Sequence, residues 1–469
     1  MPLLLFALGM ILVLGGILWL RLHPFLALII AAVAVALLTP DAALTGYAEA
    51  QVAAGKLSDR EATALVNASS PSRVVSEFGV TCGKVGIIIA MAAIIGQCLL
   101  ASGAAARIVE ALLAVFGQAR AALAFITSGF LLAIPVFFDT VFYLLMPLGR
   151  ALHQKSGKDY LLYVLAIVAG GTMAHSLVPP TPGPLFVAGE LGVSLGAMIM
   201  GGLAVGSVSV AFGYWFALRA NARHTVVPDA EAPGSAPPDL ARLIRPPLWL
   251  ALLPVLLPIG LIALGTVLVP YASKLASPPA WLPPLEFLAD KNVALTLSAL
   301  IALLMLARAT GAGTRAGVGT ALASGATIIL ITAAGGAFGG VLRQTGIALS
   351  IQDVAGSAQV AVLPMVFLVT MLVRTAQGSA TVAMITAAPV AKAFLDAGDL
   401  AFHPVYLALA IGCGSKPIPW MNDSGFWVIT RMAGLKESET LRFVTPMMSL
   451  MGLVGLGATM LFAFLLPMR

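Results

Sequence analysis

Charge is scarce in this 469-residue chain: Asp, Glu, Lys and Arg together make up 10% of it. A water-soluble domain carries roughly 25%, so a soluble globule is excluded, and with 60% hydrophobic residues so is a disordered chain. Aromatics are also few, at 7%, and long apolar runs replace dyad alternation, which argues against an outer-membrane barrel. The three cysteines, Cys82, Cys98 and Cys413, have no CxxC or metal-ligand spacing, so neither a disulfide framework nor a metal site follows. There is no GxxxxGK[ST] motif and hence no support for an ATP-driven pump. No Lys/Arg-rich region precedes the first apolar run, so residues 3–20 read as a retained helix and not a signal peptide.

What the chain does contain is apolar segments of spanning length, about 20 residues each. The expected class is an all-α polytopic membrane protein. Spans are expected at 3–20, 25–39 and 85–103, with 40–84 an external loop holding an amphipathic piece and 104–119 interfacial. A long stretch at 120–149 and an interrupted one at 160–218 complete a first half, 1–219. Residues 220–246, rich in Pro, Ala and Gly and flanked by arginines, read as a cytoplasmic linker. The second half, 247–469, has spans at 248–269, 292–307 and 321–340, an interfacial 341–357, a long stretch at 358–395, a broken segment at 404–430 and a last span at 443–466.

The halves resemble each other. Ser102-Gly103 recurs as Thr345-Gly346, Thr140-Val141 as Thr381-Val382, Pro147 and Arg150 as Pro389 and Lys392, and Gly170 as Gly412, always 241 to 243 residues apart. The net charge of +6 comes from basic residues in short loops, which bespeaks membrane orientation and not nucleic acid. Arg120 and Arg150 at both ends of 120–149 predict a hairpin entering and leaving on the cytoplasmic side. Its counterpart at 358–395 is expected to enter from the other face. The expected fold therefore has inverted-topology repeats, two re-entrant hairpins (about 120–150 and 358–395) and two broken helices (about 160–190 and 404–430).

Ionisable groups inside apolar segments are functional candidates. Asp139 is the only charge between Arg120 and Arg150, beside Thr140. Glu190 is the only charge, and His175 the only imidazole, between Asp159 and Arg219; Lys416 and Asp423 lie between Asp399 and Arg431. These coincide with helix breakers. His175-Ser176 precedes Pro179-Pro180-Thr181-Pro182-Gly183-Pro184, where four prolines in six positions forbid a regular helix. Lys416-Pro417-Ile418-Pro419 and Asn422-Asp423-Ser424 occupy the matching place in the second half, and Gln377-Gly378-Ser379 with Thr381 forms the second hairpin tip. Unwound backbone at membrane depth is tolerated where it lines a polar cavity, and helix N-termini there attract anions. Hydroxyls and amides at the tips suit a polyhydroxylated ligand.

Plainer roles compete. Asp139 pairs with a nearby base, His175 packs in the core, Lys416 neutralises Asp423, Glu190 is solvated, and Arg374 marks an interface at a hairpin end. Gly201-Gly202 and Gly339-Gly340 mark close helix packing. A channel would need a filter or pore ring that is absent from the sequence. The adjacent His175 and Ser176 give no nucleophile–base geometry for a hydrolase. A secondary transporter accounts for the repeat, the paired breaks and the midplane polar groups together.

Phe137-Phe138-Asp139 followed by Leu145-Met146-Pro147, His175-Ser176-Leu177-Val178-Pro179-Pro180 with Pro182-Gly183-Pro184, and Lys416-Pro417 with Asn422-Asp423-Ser424-Gly425-Phe426-Trp427 resemble the gluconate permease family of proton symporters. The resemblance runs over nearly the whole chain. The chain departs from it at Thr181, where relatives often have His. What it implies is a cell inner-membrane carrier of the ion transporter superfamily, importing gluconate or a similar small hydroxylated carboxylate with protons, without a cofactor, in some relatives as a homodimer. The implied substrate surround is Asp139, Thr140, His175, Ser176, Thr181, Gly183, Gln377, Gly378, Ser379, Thr381, Lys416, Asn422, Asp423 and Ser424, with Asp139 or Asp423 carrying the proton. A sodium-coupled or exchange carrier for carboxylates on the same fold is the alternative.

Overall fold

The computed structural model describes residues 2–53, 55, 57–226, 246–275, 279–310, 314–347, 361–397, 400–421 and 423–468. Most of the linker, much of the segment 341–357 and Asn422 lie outside the described residues. Among the described residues there is no strand. The chain is an all-α polytopic membrane protein. Among the described residues, seven helices are long and apolar enough to cross a membrane, or up to nine if two bent pairs each count as one span.

The first half opens with α1 (Pro2–Leu18), α2 (Pro24–Leu38), α3 (Asp41–Ala53) and α4 (Asp59–Asn67). Pro24 starts α2 at the first helical position, where its missing N–H costs nothing. A reciprocal cap starts α4: the Ser58 backbone N–H and hydroxyl donate to Glu61, which holds that carboxyl below its ordinary range. Next come α5 (Ser70–Ala101), α6 (Ala104–Phe116), a 3₁₀ turn at Gln118–Arg120, α7 (Ala121–Leu132) and α8 (Phe138–Ser156). Then follow α9 (Tyr160–Leu177), α10 (Pro182–Glu190) and α11 (Leu195–Arg223).

One expectation needs correcting here. Residues 40–84 are more than a loop with an amphipathic piece: they hold α3, the amphipathic α4 and the first half of α5, whose 32 residues begin at Ser70 and not at 85. Two of the charges that made 70–84 look like a loop, Arg73 and Glu77, face inward, while Lys84 is exposed. Arg73 is buried, and donates to Gln344 Oε1 at 3.0 Å and to Ala36 O at 2.8 Å. Gln344 Nε2 donates to Glu77 at 3.1 Å.

The second half contains α12 (Leu248–Ala272), α13 (Leu282–Ala289), α14 (Lys291–Thr310), α15 (Thr314–Gln344), α16 (Val362–Gln377), α17 (Ala380–Asp396), α18 (Val405–Gly414), α19 (Ser424–Ala433) and α20 (Glu437–Leu465). The 242-residue step recurs in the helix starts: Phe138 and Ala380, Pro182 and Ser424, Leu195 and Glu437. The proline inside α8, Pro147, recurs inside α17 as Pro389.

Two layers of packing position the centre. The helix pair α5 and α15 packs together along its length, with α2 and α14 against it. Around the broken segments, α9 packs on α7 and α11, and α18 packs on α16 and α20. The broken span Tyr160–Glu190 is 94% buried over its apolar window, against 28–39% for the spans at α5, α11, α12, α14 and α20. It is therefore screened from lipid by protein, as irregular backbone at membrane depth requires. Close approach makes this possible: a Cβ on Gly170 of α9 would lie 2.1 Å from Ile126 O of α7. Gly202 and Gly340 are tight as expected, since a Cβ on either would come within 2.2 Å of Leu177 O or of the Glu77 carboxylate.

Candidate functional site

Four helices begin at one place. They are α8 after the break at 133–137, α17 after the Gly378-Ser379 tip, α10 after Val178–Thr181, and α19 after Ser415–Asp423. Each start follows from local sequence. Pro182 sits in the first turn of α10, and Gly378, at φ 74, ends α16 in the left-handed conformation. Ser379 Oγ accepts from Val382 N at 3.3 Å, and Asp423 Oδ1 accepts from Gly425 N at 2.9 Å. By contrast, α8 has no side-chain cap, so its first amides are free of one. Thr181 does not cap α10 either, because its hydroxyl donates to Val178 O at 2.7 Å.

These starts surround a cavity of about 280 Å³. That is the lower end of the range for small-molecule sites. Its polar wall carries Asp139, Thr172, His175, Arg374, Ser379, Thr381, Lys416, Asp423 and Ser424. Its apolar wall includes Phe137, Phe138, Pro182, Phe426, Ile429, and Ile328 and Ile331 of α15 with Val444 and Met448 of α20. Converging N-termini add positive potential from helix dipoles. Among the described residues, no group of three His, Cys, Asp or Glu is placed to hold a metal ion.

The electrostatics differ from the plainer expectations in three ways. Arg374 is buried and does not mark an interface: it forms an ion pair with Asp423, and its Nε donates to Ser415 O at 3.0 Å. Lys416 therefore does not neutralise Asp423 by contact; its buried ammonium donates to Thr172 O at 2.8 Å. Glu190 is not simply solvated. It pairs with Arg343 of α15, and Glu77 of α5 lies on the same guanidinium at 3.7 Å. Asp139 has no hydrogen-bond partner among the described residues and stands in the first turn of α8. His175 stacks edge-on to Phe137, with its Nδ1 buried and unbonded.

Asp139, His175, Ser379, Thr381, Lys416, Asp423 and Ser424 thus meet at one cavity. Thr140, Ser176, Thr181, Gly183, Gln377 and Gly378 are not among the residues that line it. Ser176 is fully buried, with an unbonded hydroxyl. Gly183 packs on α17, where a Cβ would lie 2.0 Å from Met384 Cε. Both amide atoms of Gln377 are buried without a partner. From the sequence, Arg374 stands as an alternative to Lys416 as counter-charge for a carboxylate or as an interface marker; it lines the cavity together with Lys416. The residues from α15 and α20 carried no signal, being ordinary apolar positions on long spans.

The solved structure of Neisseria gonorrhoeae MtrF, titled as illuminating a class of antimetabolite efflux pumps, matches 84% of this chain and 84% of its own with a TM-score of 0.60. At 15% identity this likeness is one of fold. The gluconate permease of Pseudomonas aeruginosa is 31% identical over 398 residues, covering 83% of this chain and 86% of the relative. The L-idonate transporter of the Gnt-II system of Escherichia coli K12 is 29% identical over 97% of this chain and 98% of its own. The model of the GntP family permeases matches residues 65–465. This chain, with its cavity built from the starts of four helices, belongs to the GntP permease family and is a transporter, not an enzyme.

Proposed function

We propose that this inner-membrane permease imports gluconate, or a similar small hydroxylated monocarboxylate, together with protons. Relatives named for gluconate and L-idonate support the substrate class, and a relative named as an inner membrane permease supports the location. The observation that carries the reading is the charge content of the cavity. Two cations, Arg374 and Lys416, face two acids, Asp423 and Asp139. Arg374 is matched by Asp423, while Asp139 has no partner among the described residues. With all four charged, the empty site is neutral. A bound monocarboxylate adds one negative charge in a poorly solvated space, where unpaired charge is costly. A proton on Asp139 restores neutrality, so anion and proton each favour the binding of the other.

Uptake by the purified protein in proteoliposomes tests this, with proton and sodium gradients imposed separately. Gluconate should accumulate under an inward proton gradient and lose that accumulation with a protonophore. Accumulation that ignores the protonophore and stops without sodium would transfer the reading to a sodium-coupled carrier.

A further inference from the structure

We propose that Arg374 and Lys416 together form the subsite that holds the substrate carboxylate, an assignment that rests on the transport reading above. Both side chains are almost fully buried, at 3% and 2% exposure, and both line the cavity. Both keep unspent donors. Arg374 uses Nε on Ser415 O and Nη2 on Asp423, while Nη1 is buried without a partner. Lys416 has one described acceptor, Thr172 O, for an ammonium that offers three donors. Ser415, the anchor of the guanidinium, is the chain neighbour of Lys416, so the same stretch of backbone holds the two cations together. Buried donors without acceptors are destabilising until a ligand supplies them. A carboxylate supplies up to four acceptor positions in a plane that matches a guanidinium fork.

The remaining charged and titratable groups on the wall set the direction of the ligand. Asp423 is already occupied, by Arg374 through one oxygen and by Gly425 N through the other. Asp139, an acid in either protonation state, offers no cation to the ligand carboxylate, and His175 is wedged edge-on to Phe137. The hydroxylated tail therefore lies along Ser379 and Thr381, with its carboxylate at the cation pair. A neutral amide of the same acid would turn an NH₂ group toward donors. A dicarboxylate would bring a second negative charge, whereas the single proton on Asp139 balances only one.

Counterflow of labelled gluconate in proteoliposomes holding the full chain separates the outcomes, with unlabelled gluconate, gluconamide and glucarate as competitors. In the wild type, gluconamide and glucarate should each compete at least about tenfold more weakly than gluconate, the loss expected for a charge-assisted contact. Lys416→Gln, and the paired change Arg374→Gln with Asp423→Asn, should raise the half-saturating gluconate concentration by about ten- to hundredfold. The pairing avoids leaving a buried charge alone. Both variants should also bring gluconate and gluconamide close to equal. Exchange with equal competition by gluconamide in the wild type overturns the subsite alone, whether or not the variants fold. Absence of gluconate exchange in the wild type overturns the transport reading and the subsite with it.

Discussion

Asp139 is where single-residue chemistry and coupling meet. It stands at the uncapped start of α8, on a wall shared with Lys416 and Asp423, and no described group pairs with it. A coupling group must bias the two faces of the carrier differently when it is occupied. Asp139→Asn mimics the protonated side chain permanently. That variant should lose accumulation driven by a proton gradient and keep counterflow exchange of bound substrate within a few fold of wild type. Uptake against a gradient that survives in Asp139→Asn would move the coupling to Asp423 or to an ion other than the proton. Thr181 illustrates the opposite case. Its position in the proline motif suggests a ligand contact, yet its hydroxyl is spent on Val178 O and the side chain is 3% exposed. Its hydrogen bond shapes the break that starts α10, and any effect on substrate must pass through that backbone.

At the scale of helices, the broken segments depend on backbone contact with their neighbours. Gly170 lets α9 touch α7, and no side chain can enter that gap. Gly170→Ala should cost about 1–3 kcal/mol, the usual range for overpacking, and should lower the unfolding temperature of the protein in detergent. Gly457→Ala is the matched control. That glycine also lies in a helix, α20, but its Cβ would meet nothing within 4 Å. There the substitution should be neutral or stabilising by roughly 0.4–1 kcal/mol, through the unfolded chain. Equal effects at both sites would mean that the α7–α9 contact is looser than described. The ion pair of Glu190 with Arg343 is a second element-scale link. It ties the far end of α10, whose start forms part of the cavity, to α15 of the packed α5–α15 pair. Movement of α10 relative to that pair must break or carry this contact.

For the molecule as a whole, the 242-residue step in helix starts extends from α8 and α17 through α11 and α20. An inverted arrangement of the halves requires the linker and the loop near residue 280 to lie on opposite faces. The native cysteines interfere little, since Cys98 and Cys413 are buried and only Cys82 is partly accessible. In a Cys82→Ala background, a cysteine within 228–240 should react with a membrane-impermeant maleimide only in inverted vesicles. One at Pro283, in α13, should react from outside intact cells. Labelling of both from one side would contradict opposite orientation of the halves.

The class, the breaks and most of the charged groups at the cavity are matters of composition and local chemistry. Membrane residence follows from hydropathy over windows of about 20 residues. Breaks follow from proline and glycine, whose effect on the backbone is the same in any context. An Asp, a His or a Lys in an apolar run is visible for the same reason, and Asp139, His175, Lys416 and Asp423 were legible in this way. Pairing was not. Whether Lys416 or Arg374 meets Asp423 depends on how α16 packs against α18, and residues 374 and 423 are brought together by packing alone. The start of α5 was misread because Arg73 and Glu77 look like loop charges until Gln344 and Arg343, far along the chain, receive them. Ile328, Ile331, Val444 and Met448 are indistinguishable in sequence from lipid-facing residues. Only tertiary structure turns them toward a cavity, because in a membrane both the lipid and the protein interior are apolar and hydrophobicity no longer separates inside from outside.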